Sequence, residues 1–528
     1  MKAARDIMKQ YQGAVDVCIV GAGAAGSTLA KRLAEAGLSV VVLEAGPWLD
    51  TQQDFINDEL SMLGKLDWDD LRISGGNHPI SLGRINTGRA VGGSTVHFTS
   101  IKLRLHPEDF LRGSMQGDGP DWPITYEELA PYYQKVERFL GVSGPTYFPW
   151  GAFHGPYPQG ELPLSAGDEV IARGFEKLHL HWCMAPHAVL TGRKDGRSPC
   201  MYYGFCINGC KSDAQSTALV TWIPDAVKAG AEIREGCFAV RINLDSNGSA
   251  RSVTYLHEGR EAEQAARIII VSCYSIETPR LLLNSACGQF PDGLGNRSGQ
   301  VGRNLMVHPQ AEVYAHFPEP LDHFITPPVG VMTQDSYGTQ SGRGFSGGYT
   351  MVRNAHFPID FITTLLTGNP HLWGPRLFQV MDEYTHWTSL VAMNETLPRE
   401  ENRVTLAQEV DQNGIPVAQV TMNYNENDSN LLAASATHAE EVLQAAGADQ
   451  ILHTTGSGHL LGTCRMGDDP NTSVVDRYCR SHDIPNLYIC DGSVFVTGGA
   501  VNPSLTIEAL ALRTADRILG GRSGRNWR

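Results

Sequence analysis

Two short apolar runs near the N-terminus flank a glycine-rich turn and a helical segment. Residues 15–20 and 39–43 are rich in β-branched side chains, a pattern that predicts strands buried on both faces. Residues 27–36 between them are good helix formers and stop at Gly37, a residue typical of a helix C-terminus. The pattern therefore predicts a strand–turn–helix–strand unit.

The turn of this unit has the G-x-G-x-x-G spacing, with an acidic residue after the second strand. Gly21 permits a tight turn, Gly23 lets the backbone approach a pyrophosphate, and Gly26 lets the helix pack on the strand. Glu44 can hydrogen-bond a ribose hydroxyl. The complete context predicts a dinucleotide-binding site, and glycines used for packing alone are the alternative.

The C-terminal seventy residues contain a second group of chemical signals. Residues 453–467 are polar and glycine-rich, which predicts an active-site loop. Residues 486–490 form a short apolar strand that ends at Asp491, and residues 498–503 form a turn. The helical spacing from Ser504 onward places free N–H groups and a positive dipole end at that turn, suited to flavin oxygens or phosphate.

Length and charge narrow the class of protein. The chain has 528 residues, which favours two domains, and 42 Lys+Arg against 57 Asp+Glu give a formal charge of −15. An acidic balance argues against nucleic-acid binding, which depends on clustered Lys and Arg. The N-terminus has no apolar core of a secretion signal, and no stretch approaches about 20 apolar residues. We expect no direct membrane insertion and, from the missing signal, a cytoplasmic location.

These motifs resemble those of the glucose–methanol–choline (GMC) oxidoreductases, in the family's order and over nearly the whole chain. The matching segments are residues 21–26, 43–46, 89–95, 402–406, 459–463, 491–493 and 501–506. The resemblance implies an α/β fold (α+β overall), with a Rossmann-like FAD-binding domain and a substrate domain built on a mainly antiparallel sheet with flanking helices. It assigns residues 14–110, 195–310 and 452–520 to the FAD-binding domain, and residues 111–194 and 311–451 to the substrate-binding domain.

The resemblance also implies the site residues. The catalytic pair falls on His459 and Asn502. The cofactor-binding positions are Gly21, Gly23, Gly26, Glu44, Arg89, Gly93, Ser94, His97, Val240, Asp491, Asn502 and Thr506. In some relatives the histidine that matches His97 is bonded covalently to the flavin, and the sequence leaves that outcome open. His308, without such support, is expected to be structural or solvated.

The predicted pair suits alcohol oxidation on chemical grounds. Removing the hydroxyl proton needs a base, and a histidine with a pKa near neutrality can serve. Asn502 can hydrogen-bond the same hydroxyl without competing for its proton.

Cysteine is the unusual residue type. Eleven cysteines cannot pair completely, which argues against a disulfide-stapled fold. Three of them, Cys200, Cys206 and Cys210, fall within the loop 198–212, and the other eight are expected in the core. Buried free thiols, a zinc site and an iron–sulfur cluster are the three readings of this loop.

The resemblance is nearest to bacterial FAD-dependent sugar dehydrogenase catalytic subunits, in which cysteines at this spacing ligate a [3Fe–4S] cluster. It implies a small chaperone-like subunit and a cytochrome c subunit as partners, and a periplasmic location if such a partner carries the chain. We therefore predict an FAD-dependent dehydrogenase that oxidises a sugar, glycoside or other alcohol and passes electrons through the cluster to a cytochrome or quinone. An oxygen-using pyranose or alcohol oxidase without a cluster, and a redox-silent flavoprotein lyase, are the alternatives.

Overall fold

The computed structural model describes residues 13–62, 65–66, 71–82, 87–152, 155–321 and 325–521. The N-terminal residues 1–12, on which part of the prediction about secretion rests, lie outside the described residues. The helices of the described chain are α1 (Ala24–Glu35), α2 (Glu59–Met62), α3 (Arg112–Gln116), α4 (Tyr126–Leu140), α5 (Ala166–Lys177), α6 (Trp222–Lys228), α7 (Tyr274–Asn284), α8 (Pro358–Gly368), α9 (Pro375–Asp382), α10 (Glu426–Ala446) and α11 (Ser504–Gly520). None of these helices combines the length and apolar character needed to span a bilayer.

A seven-stranded sheet forms the first layer of the molecule. Its strands are β1 (Val15–Val20), β2 (Val40–Leu43), β5 (Glu232–Arg234), β6 (Cys237–Leu244), β7 (Ala250–His257), β8 (Arg260–Val271) and β16 (Leu487–Ile489). The order is β5-β2-β1-β8-β7-β6, and β16 pairs with β8 off this path. Strands β5, β2, β1, β8 and β16 pair in parallel, whereas β6 and β7 add antiparallel pairs.

The predicted strand–turn–helix–strand unit lies at the centre of this sheet. Every residue of β2 is buried, and so are all residues of β1 except Asp16, as expected for a parallel strand covered on both faces. Helix α1 packs against α6 and α11, and α11 in turn packs against α4. The apolar runs at the two ends of the chain thus share one core.

A six-stranded antiparallel sheet forms the second layer. Its strands are β4 (Cys183–Met184), β9 (Met306–His316), β10 (Val329–Thr333), β11 (Tyr349–Asn354), β12 (Trp387–Asn394) and β15 (Gln450–Leu461), in the order β15-β9-β12-β11-β10-β4. Helices α5 and α10 pack together on this sheet, and α8 packs against its edge strand β15. A smaller sheet is formed by β3 (Ile73–Gly75), β13 (Arg403–Val410) and β14 (Pro416–Thr421).

The predicted α/β fold, with a parallel dinucleotide-type sheet and a mainly antiparallel second sheet, is confirmed. The domain boundaries stay a prediction. One local prediction is wrong: the segment expected to be an active-site loop is largely strand β15, because it pairs with β9 in register from Gln450 to Gly458. Its threonines suit a strand, and the glycines that suggested a loop fall within the pairing.

Candidate active site

A cavity of about 840 Å³ lies between the two large sheets. On one side it is lined by residues that follow the carboxyl ends of parallel strands, among them Gly21 after β1, Glu44 after β2 and Ser272 after β8. Ligands of open parallel sheets bind at this edge. The opposite wall comes from the antiparallel sheet and from helix α8.

Most of the predicted site residues meet at this cavity. Those that line it are Gly21, Gly23, Glu44, Gly93, Ser94, His97, Val240, His459, Asp491 and Asn502. We call the part lined by Gly21, Gly23, Glu44 and Gly93 the inner lobe. Residues separated by more than 400 positions in the sequence therefore line one cavity, while their roles stay a prediction.

Three predicted cofactor residues are not among the cavity-lining residues. Gly26 lies where helix α1 crosses β1, and an added Cβ would collide with the backbone of Gly21. Arg89 Nε donates to the carbonyl oxygen of Ala45 at 3.2 Å, and Thr506 is buried with its hydroxyl 2.9 Å from that of Tyr133. Their contacts shape the backbone around the cavity.

The two glycine-rich segments touch each other in the inner lobe. A Cβ added to Gly93 would lie 2.7 Å from Cα of Gly23, a separation that real Cβ atoms do not adopt. Gly93 also has a positive φ of 56°, and Gly21 has a φ of 99°. The close approach requires glycine at Gly93, and Gly21 must be glycine because an added Cβ would lie 2.3 Å from the carbonyl oxygen of Ser272. These turns leave backbone N–H groups beside the cavity.

Glu44 fixes the shape of this glycine turn. Its two carboxylate oxygens each accept a backbone N–H at 2.8 Å, Oε2 from Ala22 and Oε1 from Gly46. Burial raises the pKa of Glu44, although these backbone donors oppose the shift. Asp491 has a comparable role at the other end of the sheet, where it accepts from the backbone N–H of Tyr274 and Ser493 and from the hydroxyl of Thr278. The ribose contact predicted for Glu44 stays a prediction.

The inner lobe has the properties that a dinucleotide such as FAD requires. Helix α1 begins at Ala24 and α11 at Ser504, and residues of both first turns line the cavity, so two positive helix ends face it. Asn502 Oδ1 and Ser504 Oγ are buried and have no hydrogen-bond partner in the described protein. Buried polar atoms are normally satisfied, so these two indicate a polar ligand.

His459 lies at an irregularity of strand β15. The β15–β9 register shifts between Gly458 and Leu461, and His459 has a φ of 57°. A non-glycine residue with this backbone conformation is uncommon, and bulges of this kind re-aim side chains beside active sites. The bulge is the local reason that the imidazole of His459 reaches the cavity.

His459 contacts two side chains, one at each ring nitrogen. Asn502 Nδ2 lies 3.2 Å from Nε2 of His459, and Nδ1 of His308 lies 3.0 Å from Nδ1 of His459. Because an amide nitrogen is only a donor, Nε2 of His459 is the acceptor in the first contact. A neutral His459 then carries its proton on Nδ1 and donates it to His308.

Both histidines are neutral near pH 7. Burial lowers the pKa of His459 to about 4, and burial together with the neighbouring His459 lowers the pKa of His308 to about 3. This pKa lies below the near-neutral value expected for the base, because the surrounding protein desolvates the ring. A low pKa keeps the lone pair of Nε2 available over a wide pH range.

His308 is a functional candidate that the sequence analysis assigned to a structural or solvated role. The structure places it fully buried against the predicted base. The sequence contains one sign that this face of the strand is functional. His308, Gln310 and Glu312 are polar and occupy every second position of the largely apolar strand β9. Glu312 also lines the cavity, together with His356 and Asp360, which the sequence analysis did not single out.

The cysteine loop lies next to the cavity. Its short 3-10 turn Phe205–Asn208 packs against the turn Gly93–His97, and Ile207 lines the cavity. Burial raises the pKa of Cys206 well above the usual range, and neighbouring Cys210 and Cys200 raise it further, so the three thiols lie near one another.

The predicted iron–sulfur cluster has no support from this geometry. Within the described ranges, no group of three or more His, Cys, Asp or Glu side chains is placed to hold a metal ion. All eleven cysteines are free thiols. Six of the eight outside the loop are buried as predicted, Cys273 is half-buried, and Cys287 is exposed, contrary to the core placement expected for it.

A dinucleotide lobe joined to a buried histidine–amide pair defines a flavin-dependent oxidoreductase. A family model described as GMC oxidoreductase matches residues 15–310, and a second model with the same description matches residues 398–511. The chain belongs to the GMC oxidoreductase family. It is an FAD-dependent enzyme that acts on CH–OH donors.

Three curated relatives align over nearly the whole chain. The 2-methyl-1,2-propanediol dehydrogenase of Mycolicibacterium austroafricanum is 33% identical and covers 95% of both chains. The paromamine 6'-oxidase of Streptomyces fradiae is 32% identical over 96% of this chain and 91% of its own. The fructose dehydrogenase large subunit of Gluconobacter japonicus is 30% identical over 96% and 97%.

The solved structures agree on the fold. A formate oxidase from Aspergillus oryzae superposes with a TM-score of 0.69 at 16% identity and covers 97% of this chain and 99% of its own.

Proposed function

We propose that the protein is a dehydrogenase that oxidises a hydroxyl group of a sugar or another polyol to a carbonyl, with His459 as the base and Asn502 as the orienting group. The observation that carries the proposal is the contact of 3.2 Å between His459 Nε2 and Asn502 Nδ2 at the wall of the cavity. A hydroxyl group inserted between these atoms accepts from Nδ2 and donates to Nε2. The pair thus orients the O–H bond toward the base.

His308 supports the base by fixing its tautomer. Its Nδ1 accepts the Nδ1 proton of His459, so the lone pair of His459 stays on Nε2 and faces Asn502. Gly498 leaves room for this arrangement, since a Cβ there would lie 3.1 Å from His308 Nε2. When His459 takes the hydroxyl proton, it becomes an imidazolium that still donates to His308.

The electron balance of the reaction needs an acceptor beside this pair. Gly23, Gly93 and the first turn of α11 would hold FAD, which would supply an acceptor for the two electrons that leave the alcohol carbon with its hydrogen. The protein's own part is to hold the hydroxyl and to take its proton at Nε2 of His459.

The second part of the proposal concerns the acceptor to which reduced FAD passes its electrons. We infer that electrons pass to a partner protein near Cys200, Cys206 and Cys210. The inference is supported by the position of this loop: its turn Phe205–Asn208 packs against the cavity-lining turn Gly93–His97. If the three cysteines hold a [3Fe–4S] cluster, it supplies a one-electron carrier. One relative is named a large subunit, which supports a partner subunit for this chain. We propose that such partners include a cytochrome and a small carrier that takes the chain to the periplasm.

An oxygen-using enzyme is the second candidate, since one relative is named an oxidase. Two assays separate the candidates: reduction of an artificial dye against formation of hydrogen peroxide, and iron and acid-labile sulfide content of the purified protein. The proposal expects dye reduction with little peroxide, whereas the iron and sulfide content reports separately on whether the three cysteines hold a cluster. Peroxide formed in step with substrate, from iron-free protein, would overturn the dehydrogenase assignment.

The oxidation itself is tested without any added acceptor. Anaerobic mixing with a panel of sugars, glycosides, diols and simple alcohols should bleach the flavin absorbance with at least one polyol. A flavin that stays oxidised with every member of the panel contradicts the proposed function.

A further inference from the structure

The cavity continues past the catalytic pair along strand β9. His308, Gln310 and Glu312 lie on one face of this strand; His308 contacts His459, and the other two line the cavity. Four residues of an extended strand span about 13 Å. We call the region lined by Gln310, Glu312, Asn354, His356, Asp360, Thr363, Thr364 and Thr367 the outer lobe. Along β9, Glu312 is therefore about 13 Å from His308, which contacts the base, and this distance exceeds the width of a single sugar ring.

Glu312 is a buried carboxylate held in one orientation. Three donors converge on its Oε1: Ser389 Oγ at 2.6 Å, His356 Nε2 at 2.7 Å and Asn354 Nδ2 at 3.1 Å. Because Oε1 already accepts three hydrogen bonds, a ligand donor would approach Oε2. Burial opposes ionisation of Glu312, but His356 and the other donors outweigh it and lower its pKa, so the side chain is charged.

His356 joins the sheet to helix α8. Its Nε2 meets Glu312, and its Nδ1 lies 2.6 Å from Asp360 Oδ2 on the helix. Burial disfavours the imidazolium, but the two carboxylates outweigh burial and raise the pKa of His356 to about 10. The outer lobe therefore presents fixed charged groups, all in place before a ligand arrives.

The rest of the outer lobe is rich in groups that bind hydroxyls. Thr363, Thr364 and Thr367 of α8 line it opposite the sheet. Of the described residues that line the whole cavity, only Arg280 is Lys or Arg, and its guanidinium is paired with Glu277 and Asp411. Carboxylate and threonine oxygens both accept hydrogen bonds from hydroxyl donors.

We propose that Glu312 is a specificity-determining residue that binds a second hydroxyl group of the substrate, remote from the one that is oxidised. The preferred substrate is then a polyhydroxylated molecule longer than one sugar ring, such as a disaccharide or glycoside. The proposal rests on the proposed function and adds its substrate class. Hydrogen bonds to a charged acceptor are stronger than neutral ones, so one such contact separates long polyols from simple alcohols.

The test compares Glu312→Gln with Tyr314→Phe. The first substitution keeps the size of the side chain and removes its charge. The second removes the hydroxyl that lies 3.1 Å from His356 Nε2, at a residue outside the cavity-lining set, and so perturbs the same network from behind. Probes are maltose and cellobiose as long polyols, and glucose and 1-butanol as short alcohols. Flavin content and the thermal midpoint of each variant report on folding.

E312Q should lower kcat/KM for the disaccharides about tenfold more than it lowers kcat/KM for the short alcohols. A factor of about ten is expected for the loss of one hydrogen bond to a charged group. The loss should fall on KM, and Y314F should show no such selectivity. Calorimetric titration of maltose into enzyme whose flavin was first reduced gives Kd without turnover, and E312Q should weaken it by the same factor.

Equal losses for long and short substrates, or a disaccharide Kd that E312Q leaves unchanged, would overturn the inference while the oxidation stands. Failure of all four probes and of the wider alcohol panel to reduce the flavin would instead remove the proposed function itself. The two failures are therefore distinguishable.

Discussion

The inner and outer lobes of the cavity are built in different ways. The inner lobe is shaped by backbone: Gly93 lies so close to Gly23 that Gly93 tolerates no side chain on the facing side. The outer lobe is shaped by side chains, since Glu312 of β9 meets His356, which follows β11, and His356 contacts Asp360 of helix α8. Backbone groups can hold a cofactor that many enzymes share, whereas side chains such as these distinguish one class of substrate from another.

The largest effect is expected from a single methyl group in the inner lobe. Gly93→Ala places a Cβ against Gly23 at a φ of 56°, so we expect purified protein without flavin and lower stability. Gly37→Ala is the matched control, because Gly37 also has a positive φ (80°) but nothing lies within 4 Å of its added Cβ. Absorbance at the flavin band and the thermal midpoint measure both outcomes. Full flavin content in G93A would show that the inner lobe is not a backbone site.

A smaller effect, on the rate of flavin reduction, is expected from substitution of Asn502. Asn502→Ala removes the donor that orients the hydroxyl and should slow flavin reduction about 100-fold, as removal of one preorganised donor does. Flavin content should change little, because Asn502 contributes one side chain to an otherwise intact lobe. Stopped-flow absorbance under anaerobic conditions gives the rate. A rate equal to that of the wild type would remove Asn502 from the reaction.

His308 should have a weaker influence, because it acts on the substrate only through His459. His308→Leu removes the acceptor for the Nδ1 proton of His459 and should lower the reduction rate about tenfold. His308→Asn, whose amide oxygen can accept the same proton, should recover part of the rate. If the two variants are equally slow, the contact of 3.0 Å has only a packing role.

The smallest effect is expected from pH. A base with an ordinary histidine pKa loses activity below about 6.5, whereas burial lowers the pKa of His459 to about 4. The free base therefore persists as the pH falls from 7 to 5, so kcat/KM should change little there and fall as the pH passes through about 4. A loss of about tenfold for each unit below pH 6.5 would mean that the ring is solvated in the working enzyme.

The difference between the two lobes also explains which parts of the site could be predicted from the sequence. The glycine turn of the inner lobe was predictable because G-x-G-x-x-G is a local pattern with a steric cause, whereas residues 89–95 were placed through the family resemblance. His459 and Asn502 were placed through the family resemblance. The bulge that orients His459 was missed, since its segment resembles a loop in glycine content although it pairs as a strand.

The outer lobe could not be predicted, because its residues are far apart in sequence. Glu312 and His356 are separated by 44 positions, and only the pairing of β9, β12 and β11 brings them together. A lone histidine after a strand gives no local signal of two carboxylate partners. Alternating polar residues on β9 were the one detectable sign, and they indicate a polar face without naming its ligand.

The rate of flavin reduction in a single anaerobic turnover, compared between the wild type and His459→Ala, tests the central claim most directly. Removal of the general base should slow reduction about 1,000-fold while flavin content and the thermal midpoint stay close to those of the wild type. An H459A protein that binds flavin and reduces it at the wild-type rate with the same alcohol would contradict the account.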